Sequence, residues 1–547
     1  MNSDNNENEL DYREENLILD YDLEKKKPLL RVDKGIAQHL KYYQKKGVIF
    51  MWDSCFESIE LTKSSPGSGC ILAHCMGLGK TFQVVTLVYT LLTNKVTEIK
   101  RVLILCPKST VLNWVDEFNM WQKKAESQSR IQLFQAGESS KRKKILHKWH
   151  TEGGVLIMSY QKFFSSSKIK NNQLYLLDPG ADLVVCDEGH ILKEKKSQIS
   201  NLVKRVNTKR RIVLTGTPLQ NNLDEYHCIF DFVKPYLLGT EKEYKNLFVN
   251  PIKNGQYNNS TDADVRMMKI RTDVLDRKLI GCIQRYNYDE TIKNILPKKI
   301  EYVIYLKLSK IQINLHKAYE KFIERLVFST CLSTHRVIEY FLSVFDKNRS
   351  KHDCPFKFKG RWLKNSDYFL IDGQVKEIDR QKFMAQFNDP KNLQGRLMIV
   401  STQVACLGVN LIGANRVIIF EPHYNPSADL QSIFRIFRYG QKKVSYIYRF
   451  VGVGTLEETV YNRQVTKLSL SNRVLDKKET KRHFNEEELD ISVNVPLRLP
   501  SDSPEFPPPE DNVLSSILKR LKDSIHCYTE HDSLLQHQVR FTLVITD

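Results

Sequence analysis

No uninterrupted apolar run in this chain reaches the roughly 20 residues that a membrane-spanning helix needs, so no membrane partner is expected. The N-terminus, "MNSDNNENELDYREEN", is acidic and polar where a secretory signal is basic and then apolar. The 11 cysteines are scattered singly. They form no C-x-x-C pair and have no nearby histidine spacing that would build a zinc site, which suggests buried free thiols in a reducing compartment. No internal repeat is apparent. The expectation is an intracellular protein.

What is present points elsewhere. The 547 residues are too many for one hydrophobic core and enough for two or three domains plus tails. Lys plus Arg number 83 against 64 Asp plus Glu, a net +19 that favours a polyanionic partner without separating DNA from RNA or an acidic protein.

Short apolar runs recur in the first half: "VLILCPKST" (102–110), "GVLIMSY" (154–160), "DLVVCDEGH" (182–190) and "RIVLTGTP" (211–218). Each stops at a small or polar cluster, as buried parallel strands do, and helix-like stretches lie between them. The pattern is α/β and doubly wound, with ligand chemistry expected at the carboxyl ends of the strands.

"GCILAHCMGLGKTFQVVTLVYTLL" (69–92) fits as the first strand, a loop and a helix, yet His74 stands where the phosphate-loop pattern G-x-x-x-x-G-K-[ST] has glycine. The gripping half, "MGLGKT", is intact. Gly77 and Gly79 allow backbone N–H groups to curl around phosphate oxygens. Lys80 supplies charge to the β- and γ-phosphates and the Thr81 hydroxyl can ligate Mg²⁺. The change at 74 is expected to affect how the loop leaves the strand more than how it grips. A plain glycine-rich turn is the chemistry-free reading of the same letters.

Asp187 and Glu188 follow four apolar strand residues, where an aspartate binds Mg²⁺ through water and a glutamate orients and deprotonates the attacking water. Thr215 and Thr217, with Gly216 between them, end the next strand with small hydroxyl groups suited to sensing the nucleotide and passing its state on.

A second set of runs follows at "LVFST" (326–330), "DYFLIDG" (367–373), "GRLMIVST" (395–402), "NRVIIFEP" (415–422) and "SYIYRFV" (445–451), without a phosphate loop. It offers instead "QSIFRIFRYGQ" (431–441), in which Arg435 and Arg438 are read as three apart on one helical face. An arginine delivered to a γ-phosphate stabilises transition-state charge, worth roughly 10³ to 10⁵ in rate.

Together these stretches resemble the ATPase motor of Swi/Snf-type chromatin remodellers in helicase superfamily 2, and within it the ATRX class. "AHCMGLGKT", with His74 and Cys75 in place of an acidic pair, is similar to the ATRX form. "LKYYQKKGVIFMWDSC" (40–55), "DEGHILK" (187–193), "LTGTPLQNNLDEYHC" (214–228), "RWLKNSDYFLIDG" (361–373), "RQVTKLSLSNRV" (463–474) and "EHDSLL" (530–535) extend the resemblance over nearly the whole chain.

The resemblance implies two tandem RecA-like, doubly wound parallel-sheet lobes with a helical insertion after the first-lobe motifs. The expected divisions are an acidic, largely disordered tail (1–35), lobe 1 (36–235), a helical protrusion (236–300), the end of lobe 1 with a shortened interlobe link (301–325), lobe 2 (326–480), and a linker with a helical tail (481–547). It implies ATP and Mg²⁺ as ligands. Gln44, with Lys41 upstream, falls in the adenine-reading element, the loop His74, Cys75, Met76, Gly77, Leu78, Gly79, Lys80 and Thr81 holds the phosphates, and Gln431 joins Arg435 and Arg438 in the second-lobe motif. It implies translocation on double-stranded DNA, with nucleosomes and a histone chaperone as partners, in the nucleus.

The chain also departs from the family. Between "IQINLHKAYEKFIER" (311–325) and "LVFST" (326–330) the two lobes are nearly fused, where the family has further helices and a linker. Gln403 replaces a basic residue, Glu421 and Tyr424 stand for Asp and Trp, and "QHQVRFTLVITD" (536–547) lacks the expected charged helix. No cysteine-rich histone-reading module is present in the sequence. Two alternatives therefore remain, a catalytically impaired chromatin-binding scaffold and a strand-separating DNA or RNA helicase.

Overall fold

The computed structural model describes residues 13, 15–22, 25, 27–136, 139–192, 197–216, 223–255, 257, 259–286, 296–310, 312, 332–347, 362–402, 410–476 and 508–531. It divides into two compact units, Met1–Gly255 with Asp262–Lys293, and Gln256–Thr261 with Asn294–Asp547.

The first unit is built on a seven-stranded sheet. Its strands are β3 (Gly69–Leu72), β4 (Arg101–Cys106), β5 (Leu133–Gln135), β6 (Gly154–Ser159), β7 (Leu183–Cys186), β8 (Arg211–Leu214) and β9 (Ile283–Gln284), after an N-terminal hairpin of β1 (Ile18–Asp22) and β2 (Lys27–Arg31). The order is β5-β6-β4-β7-β8-β3-β9, with every pairing parallel.

Alternation along the strands shows how both faces are covered. Cys70, Leu72, Val102, Ile104, Cys106, Val155, Ile157, Leu183, Val185, Ile212 and Leu214 share one core with α1 (Tyr42–Cys55), α2 (Lys80–Thr93) and α3 (Val111–Gln122). Their neighbours Ile71, Leu103, Leu105, Leu156, Met158, Val184 and Val213 point the other way and are also buried. A parallel sheet buried on both faces needs such continuous apolar runs, which is why five of these strands are legible in the sequence.

Three expected divisions are corrected. Residues within the expected tail form the β1–β2 hairpin, because Leu17, Leu19, Leu30 and Val32 are apolar enough to pack against the α1 core, and Arg13 adds an ion pair to Asp53 at 2.6 Å. The stretch 236–300 is largely helical, with α4 (Leu223–Val233) before it and α5 (Asp262–Leu279) within it, but it returns to the first sheet as β9 beside β3.

Residues assigned to the end of lobe 1 instead form β10 (Lys299–Leu306), a central strand of the second unit. β10 runs parallel to β14 (Ser445–Gly452) and antiparallel to β15 (Ile525–Glu530), in the order β13-β14-β10-β15 with β13 as Arg416–Ile419. Both faces are covered, one wholly apolar and the other carrying the buried Glu301 beside Val303. Ile300, Tyr302 and Ile304 pack with Leu514 and Leu518 of a late helix, whereas Val303 packs with Val451, Tyr461 and Val465.

The second unit also holds a separate parallel pair, β11 (Tyr368–Ile371) and β12 (Leu397–Val400), and the helices α6 (Leu332–Lys347), α7 (Pro426–Ile433), α8 (Leu456–Asp476) and α9 (Asn512–Arg520). The predicted strand at 326–330, the interlobe junction and the chain end at 536–547 lie outside the described residues. No described helix is long and apolar enough to cross a membrane.

A buried charge network ties β10, β14, α7 and α8 together. Arg449 on β14 donates to Glu301 on β10 and, at 3.2 Å, to Asp429 on α7, and Gln464 on α8 donates to the same Asp429 oxygen at 2.8 Å. His531 Nδ1 shares a hydrogen bond with the Tyr461 hydroxyl at 2.7 Å, beside Glu301. Burial works against the Glu301 charge, but Arg449, aided by His531 and Lys299, holds its carboxyl well below the usual range. Arg449→Ala should therefore strand two buried carboxylates and cost about 3–5 kcal/mol, measured by urea unfolding; a loss below about 1 kcal/mol would contradict it.

Candidate functional site

The carboxyl ends of β3, β8 and β7 are adjacent in the parallel sheet, so the segments that follow them converge on one edge. Residues 73–79 leave β3 and enter α2 through two left-handed glycines, Gly77 at φ 83° and Gly79 at φ 71°. Gly79 is the N-cap of α2, and a Cβ there would stand 2.4 Å from Gln44 Nε2. Glycine is thus required by the sign of the backbone angle, and a Cβ would in addition displace the Gln44 amide from its place.

The loop carries an internal set of hydrogen bonds. Leu78 is buried and its carbonyl accepts from Gln44 Nε2 at 3.1 Å and from Gln83 Nε2 at 3.3 Å. Gln44 Oε1 accepts from the Lys41 amide at 2.9 Å, closing the start of α1. Lys80, the first residue of α2, donates its ammonium to the carbonyls of His74 at 2.7 Å and Cys75 at 3.2 Å. Thr81 follows on the first turn, half-buried. A loop of this shape, with a lysine at a helix N-terminus, is chemically suited to receive an anion.

His74 does more than the sequence predicts. Its side chain is fully buried, with Nε2 3.2 Å from Gln284 Oε1 and Nδ1 3.3 Å from Gln83 Nε2, and Tyr286 meets the ring edge-on at 5.0 Å. Burial and the nearby Lys80 charge push its pKa down to about 3, so the imidazole is neutral.

Asp187 and Glu188 follow β7 on the same edge. Asp187 accepts from Trp114 Nε1 at 2.9 Å and from the Glu188 amide at 3.0 Å. Burial and the Glu188 charge push its carboxyl up to about 6, against the pull of Trp114 and Lys80. Glu188 sits in the left-handed region at φ 52°, a strained setting for a non-glycine residue. After β8, the Thr215 amide donates to the Leu72 carbonyl at 3.2 Å, and a Cβ on Gly216 would meet Met76 Cγ at 2.6 Å. Gly216 is therefore seated directly against the loop. Thr217 lies outside the described residues.

The first unit thus brings together Gln44, residues 74–81, Asp187, Glu188, Thr215 and Gly216. Gln431, Arg435 and Arg438 belong to the second unit. Gln431 is buried in α7, but that helix ends at Ile433, so the two arginines are not on one helical face. The Phe434 amide closes the helix on the Leu430 and Ser432 carbonyls. Arg435 then accepts at its carbonyl from the Leu411 amide at 2.9 Å, and the Arg438 carbonyl from the Gln441 amide at 3.0 Å. These main-chain bonds, made outside the helix, turn the segment. Of the departures, Glu421 accepts from the Thr334 hydroxyl at 3.1 Å, Tyr424 carries Lys467 over its ring at 4.2 Å, and Gln403 lies outside the described residues.

Sequence reasoning missed Trp114, Tyr160, Gln83, Gln284 and Tyr286. Tyr160 donates to the Asp187 carbonyl at 2.8 Å, bracing the acid pair from below as Trp114 does from the side. Gln83 had one signal, a polar residue in a helix buried all round from Phe82 to Leu91. The others gave none: Tyr160 ends a quoted strand run and Trp114 lies just beyond another, but both are distant in sequence from Asp187, and Gln284 and Tyr286 lie far from the loop.

The SNF2-related domain signature matches residues 43–354. The chain belongs to the SNF2-related family. The helicase conserved C-terminal domain signature matches residues 327–440, so the second SNF2 unit is recognised as well. The chain is 37% identical over 705 residues to the Transcriptional regulator ATRX homolog of Drosophila melanogaster, covering 95% of this chain and 54% of the relative. It is 33% identical over 728 residues to Transcriptional regulator ATRX of Homo sapiens, covering 95% of this chain and 29% of the relative. Protein CHROMATIN REMODELING 20 of Arabidopsis thaliana is 33% identical over 589 residues, covering 84% of this chain and 39% of that protein.

This SNF2 chain spans about half the length of the fly relative and under a third of the human one. The resemblance to the ATRX class is borne out. Among solved structures, the Sulfolobus solfataricus SWI2/SNF2 ATPase core in complex with dsDNA matches 79% of this chain and 92% of that one at 23% identity, with a TM-score of 0.37.

The loop geometry makes a direct prediction. Gly79→Ala should cost about 1–2 kcal/mol for the left-handed backbone alone and more for the contact with Gln44, read as a lower melting temperature; an unchanged melt would contradict the loop as described.

Proposed function

We propose that this chain is a DNA-stimulated, Mg²⁺-dependent ATPase that translocates on double-stranded DNA, acting in the nucleus on chromatin. One observation supports it above others: a lysine ammonium resting on two loop carbonyls at a helix N-terminus, on the same sheet edge as a strained acid pair. Lys80 is there a cation held ready to exchange carbonyl oxygens for phosphate oxygens.

In this reading ATP is the substrate. The amides around Gly77 and Gly79 and the Lys80 ammonium take the phosphates, and Gln44 reads adenine beside the loop. Thr81 and Asp187 would hold Mg²⁺, which when bound supplies charge to the phosphates. Hydroxyl and carboxylate oxygens are the ligands this ion prefers, and a carboxyl raised to about 6 beside a second acid is short of positive charge. Among the described residues no group of three or more His, Cys, Asp and Glu could hold a metal, and Mg²⁺ arriving with a nucleotide needs fewer protein ligands than that.

Glu188 orients the attacking water and takes its proton. Thr215, and Gly216 against Met76, would register the state of the loop. Gln431, Arg435 and Arg438 are proposed as the arginine motif that offsets charge on the transferred phosphoryl group. The net charge of +19 suits contacts made mainly to DNA phosphates, tolerant of sequence and sensitive to salt. Nucleosomes and a histone chaperone are the partners this reading carries.

A second reading, a chromatin-bound scaffold without turnover, is favoured by one fact. The match to the fly relative runs over 705 residues, more than this chain's 547, so the relative has residues within the matched span that this chain lacks. The interlobe junction is where we propose they fall. Glu188→Gln should retain ATP binding and lose turnover, while duplex DNA should accelerate the wild-type chain more than single strands or RNA do. DNA binding without Lys80-dependent hydrolysis would select the scaffold; equal stimulation by single strands would select a strand-separating helicase.

The pH dependence has a defined sign. A carboxyl with a pKa of about 6 loses its charge, and with it its grip on a cation, as pH falls through that value, so hydrolysis should decline there. Trp114→Phe removes an N–H that favours the ionised form, which should move this acidic limb to higher pH. A limb that stays in place or moves down would contradict the assignment.

A further inference from the structure

The residue that breaks the phosphate-loop pattern sits at the middle of a continuous buried relay. Gln83 Nε2 donates both to His74 Nδ1, at 3.3 Å, and to the Leu78 carbonyl, at 3.3 Å. With Nδ1 accepting, the ring carries its proton on Nε2 and donates it to Gln284 Oε1 at 3.2 Å. Gln44 Nε2 reaches the same Leu78 carbonyl at 3.1 Å. The order is therefore Gln284, His74, Gln83, the Leu78 carbonyl and Gln44.

The main chain reinforces this relay. The amides of Ala73 and Cys75 donate to the carbonyls of Gln284 at 2.8 Å and Tyr286 at 3.1 Å, so the segment after β9 is strapped along the loop. Helix α1 leaves room for the relay at Gly47, where a Cβ would stand 1.9 Å from Gln83 Oε1 and 3.0 Å from His74 Cε1. A glycine in the standard place at 74 would leave Gln83 and Gln284 without this partner in a buried setting.

We propose that His74 is a positioning residue: through Gln83 it holds the Leu78 carbonyl turned into the protein, and through Gln284 it fastens the loop to the strand returning from α5. The Leu78 carbonyl lies between Gly77 and Gly79, so fixing it inward, while the Leu78 amide donates to the Cys75 carbonyl at 3.4 Å, fixes the backbone path of the stretch that carries both glycines. His74 touches no phosphate in this scheme and acts through the loop it shapes. The inference deepens the nucleotide reading and rests on it for the ligand, but the relay itself is a property of the nucleotide-free chain.

The test is His74→Gly, which restores the standard pattern and, if the relay matters, should make the loop worse. In the full chain without nucleotide, amide hydrogen exchange across residues 75–79 should accelerate about tenfold or more, while strand β6 is unchanged. Affinity for a fluorescent ATP analogue should fall by a similar factor, and KM for ATP should rise with kcat within about twofold.

His74→Asn, which keeps an acceptor near the place of Nδ1, should recover part of both losses. Gly47→Ala provides an independent arm, since it improves helix propensity yet displaces Gln83, and should also loosen residues 75–79. Wild-type exchange and wild-type or tighter nucleotide binding in His74→Gly would overturn the proposal. Loosened exchange in a chain whose wild type binds no nucleotide would uphold the relay and sink the nucleotide reading.

Discussion

One ammonium and two carboxyl groups are gathered within the first unit at the edge of a sheet whose strands are buried on both faces, where charge is costly unless something is arranged to receive it. Lys80 rests on the carbonyls of His74 and Cys75, and Asp187 is held by Trp114 and by the amide of the residue beside it. The backbone bears strain to keep this arrangement, with Glu188 at φ 52° and glycines at φ 83° and 71° ahead of α2. A fold selected for stability alone would avoid placing like charges side by side in such a setting. The arrangement makes sense for a site that is completed by a polyanion with its cation.

The surroundings of that edge are correspondingly well packed. Helix α2 is buried over ten consecutive residues, from Phe82 to Leu91, so its N-terminus is set by packing on every side. Gly216 packs against Met76 with no room for a Cβ, so the segment after β8 is in direct contact with the loop. The second unit uses a different device, a buried network of Glu301, Arg449 and Asp429, to fix α7, the helix that precedes Arg435 and Arg438. Because Asp429 sits in the same helix as Gln431, the network orders the start of the segment that carries this unit's motif.

The sequence was most informative where physics leaves local marks. Fully buried parallel strands read as apolar runs, so β3, β4, β6, β7 and β8 were visible, as were Gly77, Gly79 and Lys80, whose roles depend on spacing along the chain. Strands β5 and β9 are three and two residues long and leave no periodicity to detect. β10 fell within stretches assigned to the protrusion and the end of lobe 1, since its partners β14 and β15 lie more than a hundred residues away.

The relay around His74 was hidden for the same reason: Gln284 meets His74 across 210 positions of chain. The end of α7 was misjudged because "QSIFRIFR" continues the helical spacing, while the helix stops at Ile433 and passes into local turns, with the Arg435 and Arg438 carbonyls taken by the amides of Leu411 and Gln441. The family, in contrast, was legible, since its motifs survive as short contiguous strings even where the geometry between them cannot be inferred.

The central claim is that Lys80, at the head of α2, is the cation that a triphosphate replaces its carbonyl partners to reach. Titration calorimetry of Mg²⁺-ATP into the wild-type chain and Lys80→Ala addresses it without depending on turnover. The account predicts binding by the wild type and a loss of about a hundredfold or more in the variant, the scale of one buried charge-assisted contact to phosphate. Equal affinity in the two chains, or binding that persists when the loop glycines are also replaced, would contradict it.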